Sequence, residues 1–104
     1  MKINYVQFEF DGTSKKNMED MEAAIHNMSK QHEELKANPP AKYSKTLETS
    51  IKIIADFFKE STGTDVLQGV ESYKVAIECY EQFLGEIDGQ KPTFTNKYSP
   101  KRLR

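Results

Sequence analysis

The chain has little of what cross-linked, secreted or membrane proteins need. Its 104 residues contain one cysteine, Cys79, so no disulfide can form within the chain. Cys79 lies among helix-forming residues and is expected to be an inert, partly buried thiol. No apolar run approaches the roughly 18 residues that span a bilayer, and the N-terminus alternates polar with apolar residues, unlike the core of a signal peptide. We therefore expect no membrane association and a cytoplasmic location.

The sequence also lacks a recognisable catalytic or metal-binding set. The two histidines, His26 and His32, lie six residues apart, which places them about 240° apart around a helix, so they cannot share a metal. Glu78 and Glu81 could flank one helical ridge, but no Glu-x-x-His pattern accompanies them. No serine, threonine or cysteine has an evident base and orienting group. We expect a non-enzymatic protein without a cofactor.

Charge is abundant and unevenly distributed. Residues 1–90 contain all 16 acidic residues and 10 basic ones, whereas residues 91–104 contain five basic residues and no acidic one. We predict a single helical domain over residues 1–90 and a flexible basic tail over residues 91–104. Such a tail could contact nucleic acid or an acidic protein surface, but a solubilising, frayed terminus is the commoner case. Sequence-specific nucleic-acid binding is not expected.

The first residues have the pattern of a half-buried strand. Over residues 3–10, Val6, Phe8 and Phe10 fall on one face and polar residues on the other, before a turn at residues 11–12. A lone strand cannot satisfy its own backbone hydrogen bonds. Its partner could be a second short strand near the C-terminus, in "KPTFTNKYS", a second copy of the chain, or another protein.

Three helices follow, and they define the expected fold class as mainly α. The first is predicted over residues 14–37, with Thr13 or Ser14 as its cap and Asn38 before two prolines as its end. Its apolar residues recur at three- and four-residue steps, as in a heptad seam completed by His32. The members of this seam are Met18, Met21, Ile25, Met28 and Leu35.

The other two helices are predicted over residues 44–61 and 70–88. Ser44 should cap the second helix, which is the most hydrophobic and should lie at the centre of the domain. Gly63 and Gly69 reverse the chain between the two helices. The apolar residues of the second helix are Leu47, Ile51, Ile53, Ile54, Phe57 and Phe58, and those of the third are Val70, Tyr73, Ile77, Tyr80, Leu84 and Ile87.

Two stretches resemble the tail assembly chaperone-type small proteins of tailed phages and prophages of Gram-positive bacteria. The first is "MKINYVQFEFDGTSKKNMEDMEAAIHNMSKQ", in which a short strand leads into a charged helix. The second is "IADFFKESTGTDVLQGVESYKVAIECYEQFL", with paired phenylalanines, a glycine-bearing turn and a helix ending in acidic and aromatic residues. The chain departs from the family in having Tyr5 where a glycine is expected, and in having "KESTGTD" and the single Gly69.

The resemblance implies a chaperone of which several copies coat the tape measure protein and help to recruit the tail tube protein, in the host cell cytoplasm. We predict a homo-oligomer. The alternative is a small phage or prophage regulatory protein that contacts nucleic acid or a host protein through its basic tail. The expected protein-binding surface combines the strand edge with the first-helix seam, at Val6, Phe8, Phe10, Met18, Met21, Ile25 and Met28.

Overall fold

The computed structural model describes residues 1–91, which form a short β-hairpin followed by three helices. Strands β1 (Lys2–Ile3) and β2 (Val6–Gln7) pair antiparallel. Helices α1 (Lys15–Ala37), α2 (Tyr43–Thr62) and α3 (Tyr73–Gln90) follow. The mainly α fold is confirmed. The strand expected in "KPTFTNKYS" and the basic tail lie, apart from Lys91, outside the described residues.

The predicted single strand over residues 3–10 is wrong in its bounds, because the chain folds back on itself at Asn4 and Tyr5. Both residues have left-handed backbone angles, with φ of 54° and 63°. Two such residues form the type I′ turn, whose twist matches that of a two-stranded hairpin. The pairing partner of β2 is therefore the segment immediately before it. The predicted alternation holds, since Phe8 and Phe10 are buried while Gln7 and Glu9 are exposed.

The helix ends follow their capping chemistry. Ser14 Oγ accepts a hydrogen bond from the backbone N–H of Asn17 at 3.3 Å, and α1 ends at Asn38 as predicted. Helix α2 begins after Lys42, which makes no side-chain cap, so the prediction of Ser44 as the cap is wrong. It ends at Gly63, which has the expected left-handed φ of 73°.

Helix α3 begins three residues later than predicted. Gly69 adopts a φ of 77° and the backbone N–H of Val70 donates to the carbonyl of Leu67 at 3.0 Å, which keeps Val70 in the corner between helices. Ser72 then caps α3, its Oγ accepting from the N–H of Val75 at 3.4 Å. The interhelical glycines therefore serve the reversal of the chain.

The core lies where the hairpin, α2 and α3 meet. Helix α2 packs against both α1 and α3, which confirms its central position. The ring of Phe83 on α3 is fully buried, with centroids 5.1 Å from Phe10 and 5.3 Å from Phe58. The buried cluster comprises Ile3, Phe8, Phe10, Met21, Ala24, Ile54, Phe57, Phe58, Val66, Leu67, Ala76, Cys79, Phe83 and Ile87.

The predicted inner face of α3 needs correction. Most of the expected apolar positions are only half-buried: Val70, Tyr73, Ile77, Tyr80 and Leu84. The buried face consists of Ala76, Cys79 and Phe83, together with Ile87, whose predicted place in the core is confirmed. The helix is rotated toward residues 1–12, which we call the N-terminal arm, because Phe8 and Phe10 of the arm pack on Phe83. Spacing within α3 does not reveal this contact.

Candidate protein-binding surface

The N-terminal arm is held against α3 by two glutamine side chains. Gln82 Nε2 donates to the carbonyl of Lys2 at 3.1 Å, and Gln90 Nε2 donates to the carbonyl of Phe10 at 3.0 Å. The Gln90 amide oxygen also accepts from the backbone N–H of Gly12. A Cβ at Gly12 would lie 3.0 Å from Ile87 Cγ2, so this close approach favours glycine. The arm therefore has a defined position on the helices.

The hairpin turn is anchored separately to the corner between α2 and α3. Asn4 Nδ2 donates to the carbonyls of Val66 and Gln68, at 2.8 and 3.1 Å. Tyr5, the next residue, makes no side-chain hydrogen bond to any residue within 1–91 and is 92% exposed. The turn consequently presents an aromatic side chain at the surface in a left-handed backbone conformation.

Three of the seven predicted binding residues lie in the core of the chain itself. Phe8, Phe10 and Met21 are at most 7% exposed. Their apolar side chains contribute to the buried cluster that joins the arm, α1 and α3. A partner could reach them only by displacing those contacts. The accessible part of the predicted surface is accordingly smaller than the sequence pattern indicates.

The other four residues are half-buried and remain partly accessible. Val6 lies on β2. Met18, Ile25 and Met28 lie along α1 at steps of seven and three residues, and we call these three residues the α1 edge. These steps place the three side chains along one side of the helix. The α1 edge thus offers apolar contact area beside the core.

A second half-buried set lies on α3, at the positions that sequence reasoning assigned to the core. Tyr73, Ile77, Tyr80 and Leu84 follow one another at three- and four-residue steps, and we call them the α3 strip. The ring of Tyr80 packs edge-on against Phe57, with centroids 5.1 Å apart, which fixes its orientation. Burial raises the pKa of the Tyr80 hydroxyl. The spacing predicted that these residues share one face of α3, but it did not predict that this face is partly exposed.

The described residues give little support to a reactive centre. Cys79 is buried, and its pKa is raised by desolvation and then by the charge of Glu78, so its thiol stays protonated near neutral pH. Within residues 1–91 no three His, Cys, Asp or Glu side chains are grouped so that they could hold a metal ion. His26 is exposed and His32 is half-buried. The chemistry that these surfaces offer is apolar packing and hydrogen bonding.

Comparison with known proteins adds a family without a described activity. A family model described as a family of unknown function (DUF6673) matches residues 4–104. No curated protein and no solved structure matches the chain. In the part of the chain that the structure describes, no helix has the length and hydropathy needed to cross a membrane.

Proposed function

We propose that this chain, which belongs to the family of unknown function DUF6673, is a non-enzymatic tail assembly chaperone. The proposal rests on its surfaces and on its resemblance to such chaperones. In this role it self-associates, binds the phage tape measure protein and helps to recruit the tail tube protein. The order of a short β-structure, two helices, a glycine corner and a third helix supports the resemblance on which this proposal rests. The cytoplasm of the host cell is the proposed location.

The observation that carries the proposal is the partial exposure of the α1 edge. Met18, Ile25 and Met28 stay partly exposed at the margin of the core although α1 packs along α2. An amphipathic helix binds such a surface by laying apolar side chains at helical spacing against it. Two of the three residues are methionines, whose flexible side chains adapt to varied partners. A surface of this kind suits a long helical partner whose sequence changes along its length.

The α3 strip supplies further apolar area of the same character. Its two tyrosines each combine an apolar ring with a polar hydroxyl, a composition that is enriched at protein interfaces. The outer faces of the helices carry acidic residues, including Glu22 on α1 and Glu81 on α3, both exposed. Charged surroundings of this kind keep a chaperone soluble and discourage unspecific aggregation.

The proposal is tested by co-expressing the protein with the tape measure protein and measuring how much of the latter stays soluble and co-purifies. Ile25→Glu should abolish co-purification, because it places an unpaired charge in an apolar interface. Ala23→Glu is the matched control, since Ala23 is exposed on the same helix and receives the same charge. Met21→Glu is unsuitable, because Met21 is buried in the core.

Circular dichroism and thermal unfolding must show that Ile25→Glu remains folded. A folded Ile25→Glu variant that binds the tape measure protein as well as Ala23→Glu does would exclude the α1 edge from the interface. Failure of the unmodified protein to bind or solubilise the tape measure protein would refute the proposed function itself.

A further inference from the structure

We propose that the outer edge formed by β2 and the two residues after it, Phe8 and Glu9, pairs with the same edge of a second copy, forming a continuous four-stranded sheet across a two-fold axis. This inference rests on the self-association that belongs to the proposed function. It assigns that self-association to backbone and side-chain groups of Gln7 and Glu9.

The hydrogen-bonding pattern of the hairpin decides which backbone groups point outward. Met1 and Phe8 exchange two hydrogen bonds, from Phe8 N to Met1 O at 3.0 Å and from Met1 N to Phe8 O at 2.7 Å. In an antiparallel ladder, bonded and non-bonded pairs alternate, so the next pair, Lys2 with Gln7, directs its N–H and C=O groups away from the hairpin. Glu9, two residues beyond Gln7, continues the alternation of exposed and buried residues.

The two outer edges of the hairpin differ in what covers them. On the β1 side, Gln82 of α3 donates to the carbonyl of Lys2, and α3 packs beside the strand. No hydrogen bond found among the described residues uses the backbone of Gln7 or Glu9. Within residues 1–91 no helix packs closely along β2. An edge strand with outward N–H and C=O groups is a template for pairing with another strand.

The second copy is the occupant that the side chains favour. If the two-fold axis passes beside Phe8, Gln7 of each copy lies opposite Glu9 of the other. The backbone groups of Gln7 point outward, and those of Glu9 do so when the extended backbone of β2 continues for two more residues. The Gln7 amide can then donate to the Glu9 carboxylate of the second copy, twice across the axis. The same register places the half-buried Val6 opposite Phe10 of the second copy. One acidic and one neutral residue per strand thus make the edge complementary to itself.

The test is sedimentation velocity of the full chain over a wide concentration range. The unmodified protein should show a monomer–dimer equilibrium. Gln7→Glu places two like-charge pairs across the axis and should raise the dimer Kd about tenfold. Gln7→Lys should lower the Kd, and the double variant Gln7→Glu with Glu9→Lys should restore it. Gln68→Glu and Gln68→Lys are the controls, because Gln68 is exposed but lies outside the hairpin.

Amide hydrogen exchange identifies the occupant. Protection of the Gln7 and Glu9 amides should rise with the fraction of dimer. Protection that is the same at every concentration would overturn the inference in favour of a segment of the same chain. A monomer at all concentrations, or a dimer that responds equally to Gln7→Glu and Gln7→Lys, would overturn it too.

This test is separable from that of the proposed function. A chain that stays monomeric but binds the tape measure protein refutes the β2 pairing and the self-association, and leaves the binding of the tape measure protein standing. A chain that dimerises as described but does not bind the tape measure protein refutes only the chaperone role.

Discussion

Phe83 is the residue on which the N-terminal arm and the central helix converge. Its ring centroid lies 5.1–6.2 Å from those of Phe8, Phe10, Phe57 and Phe58, and none of its surface is exposed. Phe83 thereby couples the hairpin to the helices: a change at this residue loosens both at once, because each packs against the same ring.

We expect Phe83→Ala to lower the free energy of unfolding by about 3–5 kcal/mol, since it leaves a cavity among four buried phenylalanines. Leu84→Ala, one residue further along α3, should cost only about 1 kcal/mol because Leu84 is half-buried. Urea unfolding followed by circular dichroism measures both. Equal losses, or a larger loss at Leu84, would mean that α3 presents its other face to the core.

Tyr5 has a left-handed backbone conformation, which favours glycine over residues with a side chain. Its φ of 63° is one that glycine adopts freely, whereas a side chain there costs about 1–2 kcal/mol. Because Tyr5 is 92% exposed, little burial compensates. The glycine expected at this position from the resemblance suits the same turn, since Asn-Gly is the preferred type I′ pair.

Tyr5→Gly should therefore raise the free energy of unfolding by a few tenths to about 1 kcal/mol, the gain being limited by the greater freedom of glycine in the unfolded chain. Thermal unfolding measures the change, and Tyr5→Ala, which keeps the strain and loses the ring, is the control. Destabilisation by Tyr5→Gly but not by Tyr5→Ala would contradict this account of the turn.

At the scale of the helices, their existence and approximate bounds could be predicted from spacing and capping, but the rotation of α3 could not. Two overlapping sets of residues on α3 recur at helical steps, Tyr73-Ile77-Tyr80-Leu84 and Ala76-Cys79-Phe83-Ile87. Each set has four members, but the first has the bulkier side chains overall, because the second includes the small residues Ala76 and Cys79. The choice between them depends on phenylalanines about 75 residues away in sequence, which spacing within a helix cannot show.

The hairpin could not be predicted from the sequence for a related reason. Alternation over residues 3–10 identified Phe8 and Phe10 as inward-facing, and the structure buries both. The turn at Asn4 and Tyr5 lacks the glycine that usually marks a two-residue loop, so a single longer strand was the simpler interpretation. The predicted binding surface included Phe8 and Phe10 for the same reason. A single strand without a nearby partner would leave both side chains free to bind another protein.

The caps provide a test of where the helices begin. Ser72→Ala removes the hydroxyl that accepts from Val75 N and should cost about 1 kcal/mol of unfolding free energy. Ser44→Ala should be neutral or slightly stabilising, because Ser44 lies within α2 and alanine favours helix. Chemical denaturation compares the two variants. A loss at Ser44 as large as that at Ser72 would place the start of α2 at Ser44.

Across the whole molecule, the two proposed contacts use different elements. Self-association uses the edge of β2, while partner binding uses the α1 edge and the α3 strip. Both helical surfaces of each copy therefore remain accessible in the dimer. The first-helix seam predicted from the sequence contained the α1 edge but also the buried Met21, since a heptad pattern does not distinguish its centre from its margin. Only the packing of α2 against α1 makes that distinction.

The most direct test of the central claim is the molar mass of the complex that forms when the full chain is co-expressed with the tape measure protein. Size-exclusion chromatography with light scattering should give one peak that contains both proteins, with several copies of this chain for each tape measure chain. Ile25→Glu should remove that peak, and Ala23→Glu should leave it unchanged. A strict monomer that elutes alone while the tape measure protein is insoluble would contradict the chaperone role.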